Sequence, residues 1–142
     1  MAKYKVAGIS EISIDNSAGT LLNMTSYVDT VSALGREITP LEVTTFADSA
    51  ERFIAGIEVS QEVTIEGPFD DAATTGPDAV FSTLVGTINT IRFAPAGTAS
   101  GRRQISGEFL FTSYKPNASV KERVSYTLTA KLDGTLNATG TF

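Results

Sequence analysis

The sequence predicts a mainly β protein, a two-sheet β-sandwich or barrel carrying one α-helix. Three observations lead there. Stretches of strict apolar–polar alternation recur along the chain, the period-two mark of half-buried strands. Turn signals built on Gly, Pro, Asn and Asp separate them. The best helix candidate is "GPDAVFSTLVGT" (76–87), with an apolar stripe at helical spacing. Strands with a single apolar face need a facing sheet. The 142 residues fit one domain, 1–142, large enough to bury a core without disulfides or metals.

The elements follow in order. "EISID" places Ile12 and Ile14 on one face of a short strand, closed by the turn-rich "DNSAGT". "LLNMTSYVDTVSALGREI" fits no single period, and a strand around Met24–Ser32 is its best reading. Pro40 interrupts, and "LEVTT" resumes extended character. "IEVSQEVTIEGPF" alternates, with Ile57, Val59, Val63 and Ile65 on one face and Glu58, Ser60, Glu62, Thr64 and Glu66 on the other. The helix can start at Pro77 or Asp78 and stop at Gly86, with Val80, Phe81, Leu84 and Val85 as its apolar stripe. "TINTIRFA" is a strand, followed by the loop "PAGTASGRR". "QISGEFLFTSY" puts Ile105, Phe109 and Phe111 on one face, and "KPNAS" turns it. "RVSYTLTAKL" points Val124, Tyr126, Leu128, Ala130 and Leu132 inward. An Asp-Gly turn leads to a last short strand.

Composition narrows the function. Hydrophobic residues make up 42% of the chain and charged residues 19%, a globular balance. The net charge of −5 is the opposite of a nucleic-acid footprint. There is no Cys, so no disulfide framework or thiolate metal site. There is no His, which removes the usual general base, the Ser-His-Asp triad and the commonest metal ligand. No catalytic, cofactor or metal site is expected. The start "MAKYKVAGIS" has no apolar run for a signal peptide, and no stretch reaches the ~18 apolar residues of a membrane span. The glycosylation sequons "NMT", "NAS" and "NAT" are read as chance.

Candidate sites are few. Asp70, Asp71 and Asp78 lack the ligand spacing of a calcium loop and read as a solvated loop with a helix cap. "GTASGRR" is no phosphate fingerprint, and a hairpin connection explains it. Glu58, Glu62 and Glu66 form a one-signed row, a mild signal for a selected surface potential. The sharpest feature is "TTFADSAERFIAGI" (44–57), which puts Phe46, Phe53, Ile54 and Ile57 in what ought to be a connection. Asp48 and Glu51 match a capping box, so a short helix packed on its own core is one reading. An apolar-tipped arm docking on a neighbouring copy is the other.

At this point "LEVTTFADSAERFIAGIEVSQEVTIEGPFDD" resembles the central signature of the major tail proteins, or tail tube proteins, of long-tailed, siphovirus-like phages. The matching elements are Thr44, Thr45 and Phe46, then Arg52, Phe53, Ile54 and Gly56, then Gly67, Phe69 and Asp70. "DAVFSTLVG", "RFAPAG" and "SGEFLFTSYKPNASVKERVSYTLTAKLDGTL" are similar to later parts of the family, so the resemblance runs from about Leu21 to the C-terminus. The chain departs from it at Ala47 and Ala55, where many relatives carry Gly and Pro.

The resemblance implies a tail-tube-like fold and a structural, non-enzymatic role. Subunits form hexameric rings that stack into a hollow tube, the channel for genome delivery, in a virion tail assembled in the host cytoplasm. Residues 1–20 become an N-terminal arm with the first strand, and 36–57 a long inter-subunit connection. Thr44, Thr45, Phe46, Arg52, Phe53 and Ile54 are its expected contact residues, and Glu58, Glu62 and Glu66 are expected to face the lumen. The implied partners are other copies of the chain and the tail terminator and tail tip proteins, with no membrane. Tape measure protein and DNA pass through the lumen without specific binding. The competing expectation is a virion decoration or adhesin-type β-sandwich binding module.

Overall fold

The computed structural model describes residues 10–32 and 34–142. The start of the expected N-terminal arm, residues 1–9, lies outside the described residues. Ten strands alternate with short connections: β1 (Glu11–Asp15), β2 (Leu21–Asn23), β3 (Thr30–Val31), β4 (Ile38–Glu42), β5 (Phe53–Glu58), β6 (Glu62–Pro68), β7 (Ile88–Ala94), β8 (Arg103–Asn117), β9 (Ser125–Leu132) and β10 (Asn137–Thr141). The helix α1 (Pro77–Phe81) lies between β6 and β7. Eight strands form one antiparallel sheet in the order β2-β1-β7-β8-β9-β6-β3, with β10 also paired to β8. Among the described residues β4 and β5 pair only with each other.

The long strand β8 turns this sheet into two leaves. Its first half pairs with β7 and β10, and its second half with β9. A bulge between Phe111 and Ser113 separates the halves and bends the strand. The sheet therefore curls on itself. Ile12 and Ile14 of β1 meet Val63 and Ile65 of β6 in a single core with Ile91, Phe109, Phe111, Tyr126, Leu128 and Ala130. The alternation of β9 is visible in this burial, with Tyr126, Leu128, Ala130 and Leu132 buried and Thr127 and Thr129 half-buried. Leu128→Ala should cost about 2–5 kcal/mol through the cavity it leaves. Thr127→Ala should cost less than ~1 kcal/mol. Equal shifts of the two urea midpoints would contradict this placement.

The segment from Met24 to Val31 closes the curl. At one edge, Met24 N donates to Ile12 O (2.9 Å) and Thr25 Oγ1 accepts from Ile12 N (3.2 Å). At the other, Asp29 N donates to Glu66 O (2.9 Å), and β3 pairs with β6. Between them, the Tyr126 hydroxyl donates to Tyr27 O at 2.5 Å. Gly67 lies beneath this crossing, where a Cβ would come 2.8 Å from the Tyr27 carbonyl carbon and closer still to its oxygen. A side chain at 67 would hold the two edges apart.

The helix fills the barrel from outside the sheet. Pro77 supplies the first-turn φ, and Val80, Phe81 and Leu84 are buried. The Phe81 ring packs 5.3 Å from Tyr126 and 6.2 Å from Tyr114, centre to centre. Tyr114 donates its hydroxyl to Asp78 Oδ1 (3.1 Å), tying β8 to the first turn of α1. Burial, and then this bond to Asp78, push the Tyr114 phenol pKa up; burial does the same at Tyr126.

Several expectations change. No strand spans Met24–Ser32; β2, a 3-10 turn over Thr25–Tyr27 and β3 divide it, because the closing segment must cross from one edge to the other. The helix is one turn, followed by hydrogen-bonded turns to Gly86 (φ +85°), and Val85 of the expected stripe is exposed. Pro40 does not interrupt a strand but sits inside β4, on an unpaired edge where its missing N–H costs nothing. Lys115, Pro116 and Asn117 continue β8 instead of turning it. Val124 precedes β9 and is exposed.

The largest change concerns the alternation over Ile57–Glu66. It is not one strand. β5 ends at Glu58, and β6 starts at Glu62. The link is held by Val59 N to Glu37 O (2.7 Å), Leu132 N to Gln61 O (2.7 Å) and Ser60 Oγ to Leu132 O (2.5 Å).

Candidate functional site

The connection expected over 36–57 is a β-hairpin standing apart from the barrel. The short helix packed on its own core is not formed. β4 and β5 are in register with Leu41 opposite Ile54 and Glu42 opposite Phe53. Directly opposed residues share a face, so Leu41 and Ile54 lie on one side and Phe53 on the other. A bulge in β5 beside Pro40 gives the hairpin its twist. Gly56 sits in that bulge, where a Cβ would collide with the Thr39 carbonyl oxygen. Among the described residues neither strand makes an extensive contact with another element.

The tip is built by the Thr-Thr-Phe element. Asp48 accepts from Thr45 N (2.7 Å) and from Thr45 Oγ1 (3.2 Å), while Thr44 Oγ1 accepts from Arg52 N (2.9 Å). Arg52 also reaches the Asp48 carboxylate at 3.5 Å. Asp48 thus caps a turn and not a helix. This turn leaves Phe46 fully exposed. Phe53 is 52% exposed, Ile54 54%, Leu41 50% and Ile57 86%. Of the contact residues expected from sequence, the structure gathers Thr44, Thr45, Phe46, Arg52, Phe53 and Ile54 on this one hairpin. Leu41 was not anticipated. A strand reading of "LEVTT" with a partner in "RFIAG" would have found it, but Pro40 and the bulge hid the period.

The three glutamates separate. Glu58 lies at the root of the hairpin, in an ion pair with Arg36 at 3.0 Å. Glu62 and Glu66 are on the outer face of β6, alternating with buried Val63 and Ile65. That face is not one-signed. Lys131 stands directly across from Glu62, and Thr127 across from Glu66 with Lys115 on the next strand. Thr30, Thr64 and Thr129 complete a hydroxyl-rich surface over β3, β6 and β9.

The other candidates fall to local structure. Asp70 accepts from Ala72 N (2.8 Å) in the turn before α1, and Asp78 is bonded by Tyr114. Among the described residues no group of His, Cys, Asp or Glu could hold a metal. No helix among them is long and apolar enough to cross a membrane. "GTASGRR" is the connection between β7 and β8, and Arg103 Nε donates to Ala138 O (2.9 Å).

No protein-family model matches the chain, and no curated protein matches its sequence. Solved structures do. A chain in the tail of an empty gene transfer agent particle, refined with C6 symmetry, is similar with a TM-score of 0.71 and 19% identity over 98% of this chain and 100% of that one. A chain of the SPP1 tail tube gives 0.65 and 11% identity over 96% and 80%. A chain of the six-fold symmetrised anti-feeding prophage baseplate gives 0.63 and 10% over 97% and 98%. The curled sheet, the plugging helix and the projecting hairpin together make a tail-tube fold.

Proposed function

We propose that this chain is the structural subunit of a phage-type tail tube. Copies close into six-membered rings, and rings stack around a channel that passes the genome. One observation carries this reading: the hairpin exposes Leu41, Phe46, Phe53, Ile54 and Ile57 beyond a core that is already closed without them. An apolar surface of this kind marks an interaction site. The tail assemblies that share the fold have six-fold symmetry in two cases. Thr44, Thr45, Phe46, Arg52, Phe53 and Ile54 are accordingly inter-subunit contacts. The role is non-enzymatic, consistent with a chain that lacks His and Cys. The protein resides in the virion tail after assembly in the host cytoplasm. Tail terminator and tail tip proteins cap the tube, and tape measure protein fills it before DNA does.

The channel is lined by the outer face of β3, β6 and β9, with Glu62 and Glu66 as its carboxylates; Glu58, held by Arg36, is less free to serve. Glu62 and Glu66 offset Lys131 and Lys115 on this face and leave DNA phosphates few free cations to bind, so DNA does not stall. Converting Glu62 and Glu66 to Lys should leave tubes intact and slow DNA passage in an ejection assay. Carboxylates on the tube exterior in a density map would refute the lining. Electron microscopy of concentrated protein tests the whole reading. Rods with a central channel are expected. Monodisperse monomers that bind a host-surface ligand would indicate a decoration or adhesin module instead.

A further inference from the structure

The barrel carries a second exposed apolar surface, on the β7–β8 ladder, where Leu110 is also the cross-strand partner of Lys131. Ile88 of β7 and Leu110 of β8 are register partners on the outer face, 52% and 39% exposed, with exposed Val85 in the preceding turn. The run Phe109-Leu110-Phe111 explains why. Phe109 and Phe111 are buried in the core, so Leu110 must point out. In the sheet order β7 is three strands from β6, where the hairpin joins the sheet.

We infer that the hairpin of one copy packs its Leu41–Ile54 face on the Ile88–Leu110 pair of the next copy, with Arg52 of the first meeting Glu108 of the second. The two surfaces match in shape and charge. Each centres on an apolar cross-strand pair in an antiparallel ladder. Two residues before Ile54, just ahead of β5, stands Arg52, and two before Leu110 on β8 stands Glu108. Arg52 is 70% exposed and tied to Asp48 only at 3.5 Å. Glu108 is exposed and bonded by Thr90. Sheet faces pack in this way at a spacing of about 10 Å, aligned or crossed.

Hairpin and receiving pair are different surfaces, so the contact is head-to-tail. Such an interface closes into a ring or grows into a filament, whereas a hairpin-to-hairpin contact would stop at a dimer. The inference rests on the proposed tube function and specifies which surfaces join.

The chain has no Cys, so introduced cysteines report contacts without background. In assembled protein, the double variant Ile54→Cys/Leu110→Cys should give a ladder of covalent oligomers on mild oxidation. Ile54→Cys alone and Leu110→Cys alone should stay monomeric on the denaturing gel. Crosslinked dimers from Ile54→Cys alone would overturn the inference, as would assembled double variant without a ladder. Separately, Leu110→Asp should melt as the parent does yet form no tubes, and Glu108→Arg should be rescued by Arg52→Glu. A Leu110→Asp protein that still makes tubes would refute this contact and leave the tube function standing. Failure of the parent protein to make rods under any condition would refute both.

Discussion

Gly67→Ala is expected to lower stability by about 3 kcal/mol, at the upper end of overpacking costs. The added methyl has nowhere to go. It meets the Tyr27 carbonyl group and lies 3.0 Å from Val28 Cα, and all of these are backbone atoms. A flexible side chain could swing aside, but this segment cannot. It is pinned at Met24 and Thr25 to β1 and at Asp29 to β6, and Tyr27 O takes the Tyr126 hydroxyl. Moving it away from Gly67 either breaks that bond, leaving a buried phenol without a partner, or opens the β3–β6 pairing. A urea titration reads the loss as a lower midpoint. Gly86→Ala is a useful comparison, since a Cβ there meets nothing within 4 Å and only the φ of +85° is strained. A Gly67→Ala midpoint no lower than that of Gly86→Ala would mean that the closing segment yields.

The strands with one clean face were legible in the sequence. β9 follows its alternation because it has a single buried side and an undisturbed period of two, whereas β1, β7 and β10 were placed mainly by their turns, since β1 also buries Ser13, β7 buries Ile91 and Ala94, and β10 carries a bulge. β6 was legible too, but its alternation was extended too far. Ile57 and Val59 happen to be in phase with Val63 and Ile65, so the eye runs through the Val59–Gln61 link without noticing that the chain changes sheets. Glu58 was drawn into a row with Glu62 and Glu66 by that same accident. Phase within a sequence says nothing about which sheet a residue belongs to.

The hairpin was misread for a related reason. A two-stranded ribbon with apolar residues on both faces has no single period. Phe53, Ile54 and Ile57, with Ala50 before them, fall at spacings of three and four, which imitate a helix stripe. Asp48 and Glu51 then imitate a capping box. The partner that would have decided the matter, Leu41 across from Ile54, is separated from it by the tip and preceded by Pro40. Short-range pattern cannot recover a pairing whose other half looks broken. The presence of an unsatisfied apolar surface was nonetheless readable, since it depends on composition and not on local geometry. The Ile88–Leu110 pair had a signal as well: three large apolar residues in succession on a strand cannot all face one core.

Phe53→Ala should yield soluble, folded protein that fails to polymerise. The side chain is half exposed and lies outside the buried core, so the monomer should lose less than ~1 kcal/mol, as for other exposed positions. At an interface centre the same ring can be worth ~2 kcal/mol or more. That loss recurs at every subunit, and a polymer feels it at every joint, so tube growth should stop well before the fold is affected. The isolated hairpin is itself only marginally stable, being two strands with both outer edges open. Amides of Phe53–Glu58 should therefore exchange quickly in the monomer and become protected in tubes, while amides of β9 are protected in both. Thermal melting, hydrogen exchange and electron microscopy of one preparation separate the outcomes. A Phe53→Ala protein that melts early would place the ring in the monomer's own stability. One that melts normally and still builds tubes would remove Phe53 from the joint, and with it the argument that this hairpin exists to be covered by another copy.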